Sequence, residues 1–215
     1  MIYLYRRNKT GICIDRVYGH DGIVELPETL EGLPVTELGA YIFSDHIDRG
    51  DLEKCRMSGK FCTEDGLEVQ DEEGMPEMSG NAVQELILPS KLRKVGRYAF
   101  YNCFHLKKLS FGGDLRDVGV GAMTGCHKIE RVTVKTDENG DSCLRDILTE
   151  LPETLRVDMD KNGEQGRFWF PEFFEEGVEN TPARILETHF HGCGYRYRQC
   201  FTDKKVDYHQ YDSLF

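Results

Sequence analysis

The sequence predicts a β-dominated α/β fold, in which short similar units stack into a right-handed solenoid with a parallel β-sheet. Three observations lead to this prediction. The stretch LRKVGRYAFYNC at 92–103 returns 23 positions later as LRDVGVGAMTGC at 115–126. Short runs of alternating apolar residues recur with the same period. The 215 residues are 39% apolar and 11% aromatic, which is typical of a folded chain with a sizeable core.

The chain is expected to begin with a short strand or hairpin and a first repeat unit at about 11–44. In VELPETLEGLPVTELGAYIF, Val24 aligns with Leu86 of the later units. After a five-residue insertion, Phe43 aligns with Phe100. Residues 45–82 are polar, acidic and glycine-containing, so we expect an irregular insertion there. Its carboxylates lack the fixed spacing of a calcium loop, which favours a solvated loop.

Each later unit begins with a short strand. A shift of 23 places Leu86 on Leu109 and on Val132. Because alternate residues of a strand point to the same face, Leu86 and Leu88 are expected to face the interior. One strand of this length cannot bury its own apolar side, so the units must stack and their strands must join in a parallel sheet.

The rest of each unit is a turn. Pro89 ends the strand by removing a backbone donor, and Gly96 is expected to provide a tight or positive-φ turn. The small and large residues Ala99 and Phe100 follow, in a stretch long enough for about one helical turn. Leu151 and Pro152 repeat the strand-ending Leu-Pro and indicate a last, degenerate unit.

These residues resemble the BspA-type leucine-rich repeat family. The resemblance lies in LILPSKLRKVGRYAFYNCFHLKKL, with its strand, glycine turn, Ala-Phe pair and cysteine, and in GICIDRVYGHDGIVELPETLEGLPVTELGAYIF, with its Gly-Leu-Pro-Val insertion. It covers about 11–44 and 83–135. Members of this family are mostly regarded as interaction or adhesion modules, many at cell surfaces. The resemblance therefore implies a non-catalytic leucine-rich-repeat module that binds another protein and needs no cofactor.

The outward strand positions form the predicted binding face. They combine charged, hydroxyl and apolar side chains, which suits a polar and specific protein interface. An ordinary solvated sheet surface is the alternative interpretation. The positions are Ile23, Glu25, Glu85, Ile87, Lys108, Ser110, Arg131 and Thr133.

The sequence is therefore divided into a repeat solenoid at 1–142 and a degenerate repeat with a C-terminal cap at 143–215. Bulky aromatic residues are expected to pack in this cap and cover the open end of the repeats. They are Phe168, Trp169, Phe170, Phe173 and Phe174.

The strongest chemical alternative lies in THFHGCGYRYRQC. His189, His191 and Cys193 alternate and would share one face of a strand, and Cys200 follows within loop reach. Two imidazoles and two thiolates suit a tetrahedral zinc site, although paired Cys-x-x-Cys knuckles are absent. A cysteine-based activity of Cys193 is a further alternative, but no orienting or oxyanion motif accompanies it.

The adjacent YRYRQ alternates tyrosine and arginine. On a strand this pattern gives either an anion or nucleic-acid platform or, preferably, an edge strand whose arginines pair with Glu175, Glu176 and Glu179. The net charge of −11 argues against a nucleic-acid partner. The sequence contains no run of eighteen apolar residues, so no membrane partner is expected.

The eight cysteines are expected to be reduced thiols, because the chain has enough apolar residues to form a core without disulfides. Cys103 and Cys126, one repeat apart, are expected to fill the interior of the turns. A cytoplasmic location follows from this interpretation. A secreted or cell-surface chain whose signal peptide had been removed would have the same sequence pattern.

Overall fold

The structure is a computed structural model that describes residues 1–136, 143–173, 175–176, 184–185, 194–201 and 206–214. Within these residues β-strands dominate, which confirms the predicted β-dominated α/β class. The strands are β1 (Ile2–Arg7), β2 (Ile12–Tyr18), β3 (Ile23–Glu25), β4 (Thr29–Leu30), β5 (Leu33–Leu38), β6 (Lys60–Thr63), β7 (Glu68–Val69), β8 (Glu85–Ile87), β9 (Lys94–Val95), β10 (Lys108–Gly112), β11 (Asp117–Val118), β12 (Arg131–Thr136), β13 (Leu155–Lys161), β14 (Glu164–Phe170), β15 (Glu175–Glu176) and β16 (Arg184–Ile185). The helices are α1 (Arg49–Ser58), α2 (Leu144–Thr149), α3 (Gly194–Gln199) and α4 (Tyr208–Asp212), with a 3₁₀ turn at Gly80–Ala82.

A six-stranded sheet contains the repeated strands, in the order β14-β13-β12-β10-β8-β3. Its strands from β3 to β13 are parallel, and β14 returns antiparallel to β13. The 23-residue shift is confirmed, because Leu86 lies opposite Leu109 and Leu109 lies opposite Val132. A row of fully buried side chains crosses this sheet: Val24, Leu86, Leu109, Val132 and Val157.

An eight-stranded sheet contains the N-terminal hairpin and the turn strands, in the order β11-β9-β5-β2-β1-β6-β7, with β4 paired to β5. Strands β1 and β2 form the expected antiparallel hairpin. Strands β2, β5, β9 and β11 run parallel to one another. Leu38 lies opposite Val95, which confirms the five-residue insertion in the first unit.

The turns of successive units stack on one another through their backbones. Phe43 N donates to Ala99 O at 2.9 Å, and Phe100 N donates to Ala122 O at 3.0 Å. The rings of Phe43 and Phe100 stack with centroids 5.9 Å apart. The repeated aromatic position therefore builds a continuous core beneath the turns.

Gly96 serves the turn in a way that differs from the prediction. The left-handed conformation falls on Tyr98, with φ 52°. A Cβ on Gly96 would lie 2.5 Å from Ala40 N and 2.6 Å from Gly39 C. Gly96 is thus required for the close approach of two backbones, and the positive-φ prediction for it is wrong.

The insertion at 45–82 is more regular than expected. It contains α1 and the antiparallel pair β6 and β7, and β6 also pairs with β1 to extend the eight-stranded sheet. The side chain of Asp48 caps α1 by accepting from Gly50 N at 2.8 Å. Helix α1 has no buried residue, so an apolar period could not reveal it.

The last repeat unit has a different register from the predicted one. Leu151 and Pro152 precede strand β13 rather than ending a strand, because α2 occupies the place of the usual turn and buries Leu144, Ile147 and Leu148. The stretch YRYRQ lies in α3, so its interpretation as a strand is wrong. Arg198 is fully buried and donates to backbone carbonyls. The side chains of Glu175, Glu176 and Glu179, its expected partners, lie outside the described part of the chain.

The predicted aromatic cap residues do not all pack inside. Phe168, Phe170 and Phe173 are buried, and the ring of Phe170 lies 5.2 Å from that of Phe201. Trp169 is 52% exposed, because β14 alternates its side chains between the two faces of the sheet. Phe174 lies outside the described residues.

Candidate interaction surface

The outward face of the six-stranded sheet carries all eight predicted binding residues. We call this surface the sheet face. The pairing of the strands arranges its side chains in two rows, and none of the predicted residues is buried. The first row is Ile23, Glu85, Lys108, Arg131, Arg156 and Trp169, and the second is Glu25, Ile87, Ser110, Thr133, Asp158 and Arg167.

Charge changes sign along the first row. Glu85 forms an ion pair with the neighbouring Lys108, with Oε2 and Nζ 2.9 Å apart. Arg131 and Arg156 follow on the next two strands, opposite each other. Like charges placed opposite each other on a sheet destabilise it unless an anion lies between them.

Asp158 supplies that anion. Its Oδ2 lies 2.6 Å from Arg131 Nε and 3.0 Å from Arg156 Nη2, and its Oδ1 lies 3.0 Å from Arg167 Nε. Partial burial acts to raise the pKa of Asp158. The hydrogen bond from Arg167 and the charges of Arg131 and Arg156 outweigh burial and leave this pKa below its usual value. Three guanidinium charges face one carboxylate. Lys135 and Asp160 line the same depression and contribute one charge of each sign, so two positive charges are left over.

Two depressions run along the sheet face. The larger, of about 530 Å³, is lined by residues that include Glu25, Ile87, Ser110 and Thr133. The second, of about 400 Å³, is lined by residues that include Arg131, Thr133, Asp158 and Arg167. Because both include Thr133 and Lys135, they adjoin and form one elongated groove. Adjoining depressions that cross several strands suit an extended segment of another molecule.

Trp169 ends the first row on the outermost strand. It lies opposite Arg156 in the pairing of β13 and β14. The hydroxyl of Tyr211 accepts from Trp169 N at 2.8 Å and donates to Trp169 O at 2.6 Å. The backbone edge of β14 is therefore occupied at this residue, while the indole ring is exposed. We call Arg131, Arg156, Arg167 and Trp169 the basic corner.

Sequence reasoning missed most of the basic corner. The spacing from Arg131 to its partner Arg156 is 25 residues, and the 23-residue shift no longer finds it. The chain then reverses into β14, which no repeat predicts. A signal was present in RFWF, where strand alternation puts Arg167 and Trp169 on the face opposite to Phe168 and Phe170.

The zinc and cysteine alternatives fall largely outside the described residues. His189, His191 and Cys193 lie outside the described residues. Cys200 is buried, and its Sγ donates to Arg196 O at 3.5 Å. Burial raises the pKa of this thiol. Among the described residues, no cluster of three or more His, Cys, Asp or Glu side chains is arranged to hold a metal ion.

The fold and the sheet face can be compared with known proteins. Residues 78–148 match the family described as BspA type leucine rich repeat region (6 copies). Among solved structures, the chain is similar to a leucine rich cell surface protein from Faecalibacterium prausnitzii A2-165, with 12% identity and a TM-score of 0.36. That similarity covers 86% of this chain and 59% of the other, so the chain spans less than two thirds of that protein's length. A comparison with curated proteins finds no match.

A lipid bilayer cannot be spanned by any helix in the described part of the chain, since each lacks the necessary length and apolar character.

Proposed function

We propose that this chain, which carries a BspA-type leucine-rich repeat region at residues 78–148, is a non-catalytic module that binds another protein through its sheet face. The observation that supports this proposal is the elongated groove on that face. It contains charged, hydroxyl and apolar side chains held in register by a parallel sheet. Such a mixture is typical of specific, non-obligate protein interfaces.

A protein suits this face better than a nucleic acid. Glu25, Glu85 and Asp158 lie among the cations of the two rows. A phosphate backbone requires a continuous positive surface, whereas alternating charges complement the side chains of another protein.

We further propose that the two sheets are two sides of one short solenoid within a single elongated domain. Residues 1–142 would form the repeats, and residues 143–215 would complete and cap them. Two observations favour this arrangement. Strand β13 extends the sheet of the repeats, and Tyr211 covers the edge of β14 at Trp169.

We also propose a reducing, cytoplasmic location. Cys103 and Cys126 are buried free thiols, and each donates to the carbonyl of a preceding turn, at 3.3 Å to Phe43 O and 3.1 Å to Phe100 O. They fill the turn interior as small apolar groups, which agrees with a chain that folds without disulfides.

The binding face is tested by Ser110→Tyr combined with Thr133→Tyr, which places two bulky uncharged side chains in the groove. The matched control is Thr124→Tyr, because Thr124 is exposed in a turn away from the sheet face. A partner is captured from an extract of the native host, identified by mass spectrometry and purified, and its affinity for each variant is then measured by calorimetry.

We expect the double variant to lose about tenfold or more in affinity and the control to bind like the wild type. Equal affinity of the double variant and the wild type for the purified partner would refute binding at the sheet face. Circular dichroism and thermal unfolding establish that both variants are folded.

A further inference from the structure

We propose that the basic corner binds the carboxylates of an acidic segment in the partner protein, and that Trp169 contacts an apolar side chain beside those carboxylates. The corner's role rests on the proposed function, since it specifies what one end of the sheet face binds. The occupant is an extended peptide segment rich in Asp or Glu with an adjoining Phe, Leu or similar residue.

The charge of the corner supports this occupant. Asp158 neutralises one of the three guanidiniums that surround it, within a chain whose net charge is −11. The side chains of Arg131 and Arg167 are 42% and 61% exposed, so a ligand can reach them. A positive site on an otherwise acidic protein selects an acidic segment by complementarity.

The donors of the corner are only partly used. A guanidinium has five N–H groups that match the two oxygens of a carboxylate. The nearest contact of Arg131 and of Arg167 with Asp158 is through Nε, which leaves the Nη groups of these part-exposed side chains for a ligand. The three side chains already surround one carboxylate, that of Asp158, and this arrangement shows that their spacing suits the group. Asp158 would repel a doubly charged phosphate more strongly than a carboxylate.

Trp169 and Tyr211 determine how the segment approaches. Because the Tyr211 hydroxyl occupies the backbone N–H and C=O of Trp169, a peptide cannot add to the sheet as a further strand at that residue. The exposed indole lies beside Arg156 on the face of the sheet. The peptide therefore lies across the face, where an aromatic ring and guanidiniums offer apolar and ionic contacts side by side.

The test uses the fluorescence of Trp169, which is the single tryptophan of the sequence. The full chain is titrated with the peptide Gly-Glu-Glu-Phe-Glu-Glu-Gly, with the same peptide carrying Gln in place of Glu, and with inorganic phosphate. We expect saturable change with the Glu peptide, weakened by added salt, and none with the Gln peptide or phosphate.

Variants then assign the contact. Arg167→Gln replaces an exposed guanidinium with an uncharged amide and is expected to weaken binding of the Glu peptide about tenfold. Asp158→Asn leaves the arginines without their internal anion and is expected to strengthen binding of the Glu peptide. The control is Lys94→Gln, which removes a cation from the other sheet, where Lys94 pairs with Asp117 at 3.0 Å.

Three results would overturn the acidic-segment proposal: equal binding of the Gln peptide, saturable binding of phosphate, or unchanged affinity in both Arg167→Gln and Asp158→Asn. Each leaves the proposed function standing if Ser110→Tyr with Thr133→Tyr weakens binding of the purified partner about tenfold or more. Loss of the proposed function is a separate result, in which that double variant binds the partner normally.

Discussion

Arg198 donates two hydrogen bonds to the carbonyl oxygen of Leu151, from Nε at 3.1 Å and from Nη2 at 2.7 Å. It also donates to the carbonyls of Leu148, Pro171 and Glu153, and its guanidinium lies 4.7 Å from the ring centroid of Phe173. One buried side chain thus satisfies backbone carbonyls from several segments at the C-terminal side of the repeats. Burial lowers the pKa of Arg198 to about 10, so it remains charged at neutral pH.

The first unit uses the same device. Arg16 on β2 is fully buried and donates to the carbonyls of Tyr41, Ile42 and Ser44, with distances of 3.2 Å to Ile42 O and 2.9 Å to Ser44 O. Its Nη1 also lies 3.0 Å from Glu77. A buried arginine therefore fixes carbonyl groups at both ends of the stacked units.

Replacing Arg198 with methionine is expected to lower the free energy of unfolding by about 3 kcal/mol, because several buried carbonyls lose their donors. Urea unfolding followed by circular dichroism measures the change. The control is Arg196→Met on the same helix, where the side chain is exposed and the loss should stay under about 0.5 kcal/mol. Similar losses in both variants would contradict a special role for Arg198.

Gly96 gives a second prediction. Gly96→Ala places a methyl group against the backbone of Gly39 and Ala40, which belongs to the preceding unit and cannot move without disturbing the stack. We expect a loss of about 1–3 kcal/mol in thermal or urea unfolding. Gly50→Ala, in the first turn of the exposed helix α1, is the control and should change stability by less than about 1 kcal/mol. A neutral Gly96→Ala would show that adjacent units are not in close contact there.

The repeated part of the fold was predictable because its register depends on burial. Leu86, Leu109 and Val132 must all face the core, and a slip of one residue would expose every one of them. The same constraint fixed the first unit through Val24. The sequence pattern and the structure therefore agree wherever one face of a strand is buried.

The remaining parts depend on interactions that have no period. Helix α1 has no fully buried residue, and its start depends on the cap at Asp48. Helix α3 contains alternating Tyr and Arg, yet the contacts of Arg198 with distant carbonyls favour the helix over the local strand pattern. Most of the basic corner escaped prediction, because Arg156 follows Arg131 at 25 residues instead of 23 and the chain then reverses into β14.

The buried thiols of the repeats are expected to be unreactive in the folded chain. Burial raises the pKa of Cys103 to about 12 and that of Cys126 well above its ordinary value, and only a thiolate reacts quickly. Labelling with iodoacetamide at pH 8, followed by peptide mass spectrometry, should modify both cysteines only after urea is added. Half-buried Cys55 serves as the internal comparison and should be modified first. Labelling of Cys103 at the same rate in native and unfolded chains would contradict its burial.

Asp158 connects stability with pH. Its pKa is lower in the folded chain than in the unfolded chain, where the pKa of an aspartate is about 3.9. A lowered carboxylate pKa stabilises the fold above the unfolded value, and this contribution disappears as the pH falls through the folded pKa. Asp158→Asn is therefore expected to cost about 1 kcal/mol at pH 7, because three guanidiniums lose their shared anion. The difference from the wild type should shrink steadily below about pH 4, in urea unfolding measured across this range.

Asp117→Asn, which removes an exposed pair with Lys94, is the control and should change stability little at pH 7 or at pH 3. A constant difference between Asp158→Asn and the wild type from pH 7 to pH 3 would show that the charge of Asp158 does not hold the three arginines together.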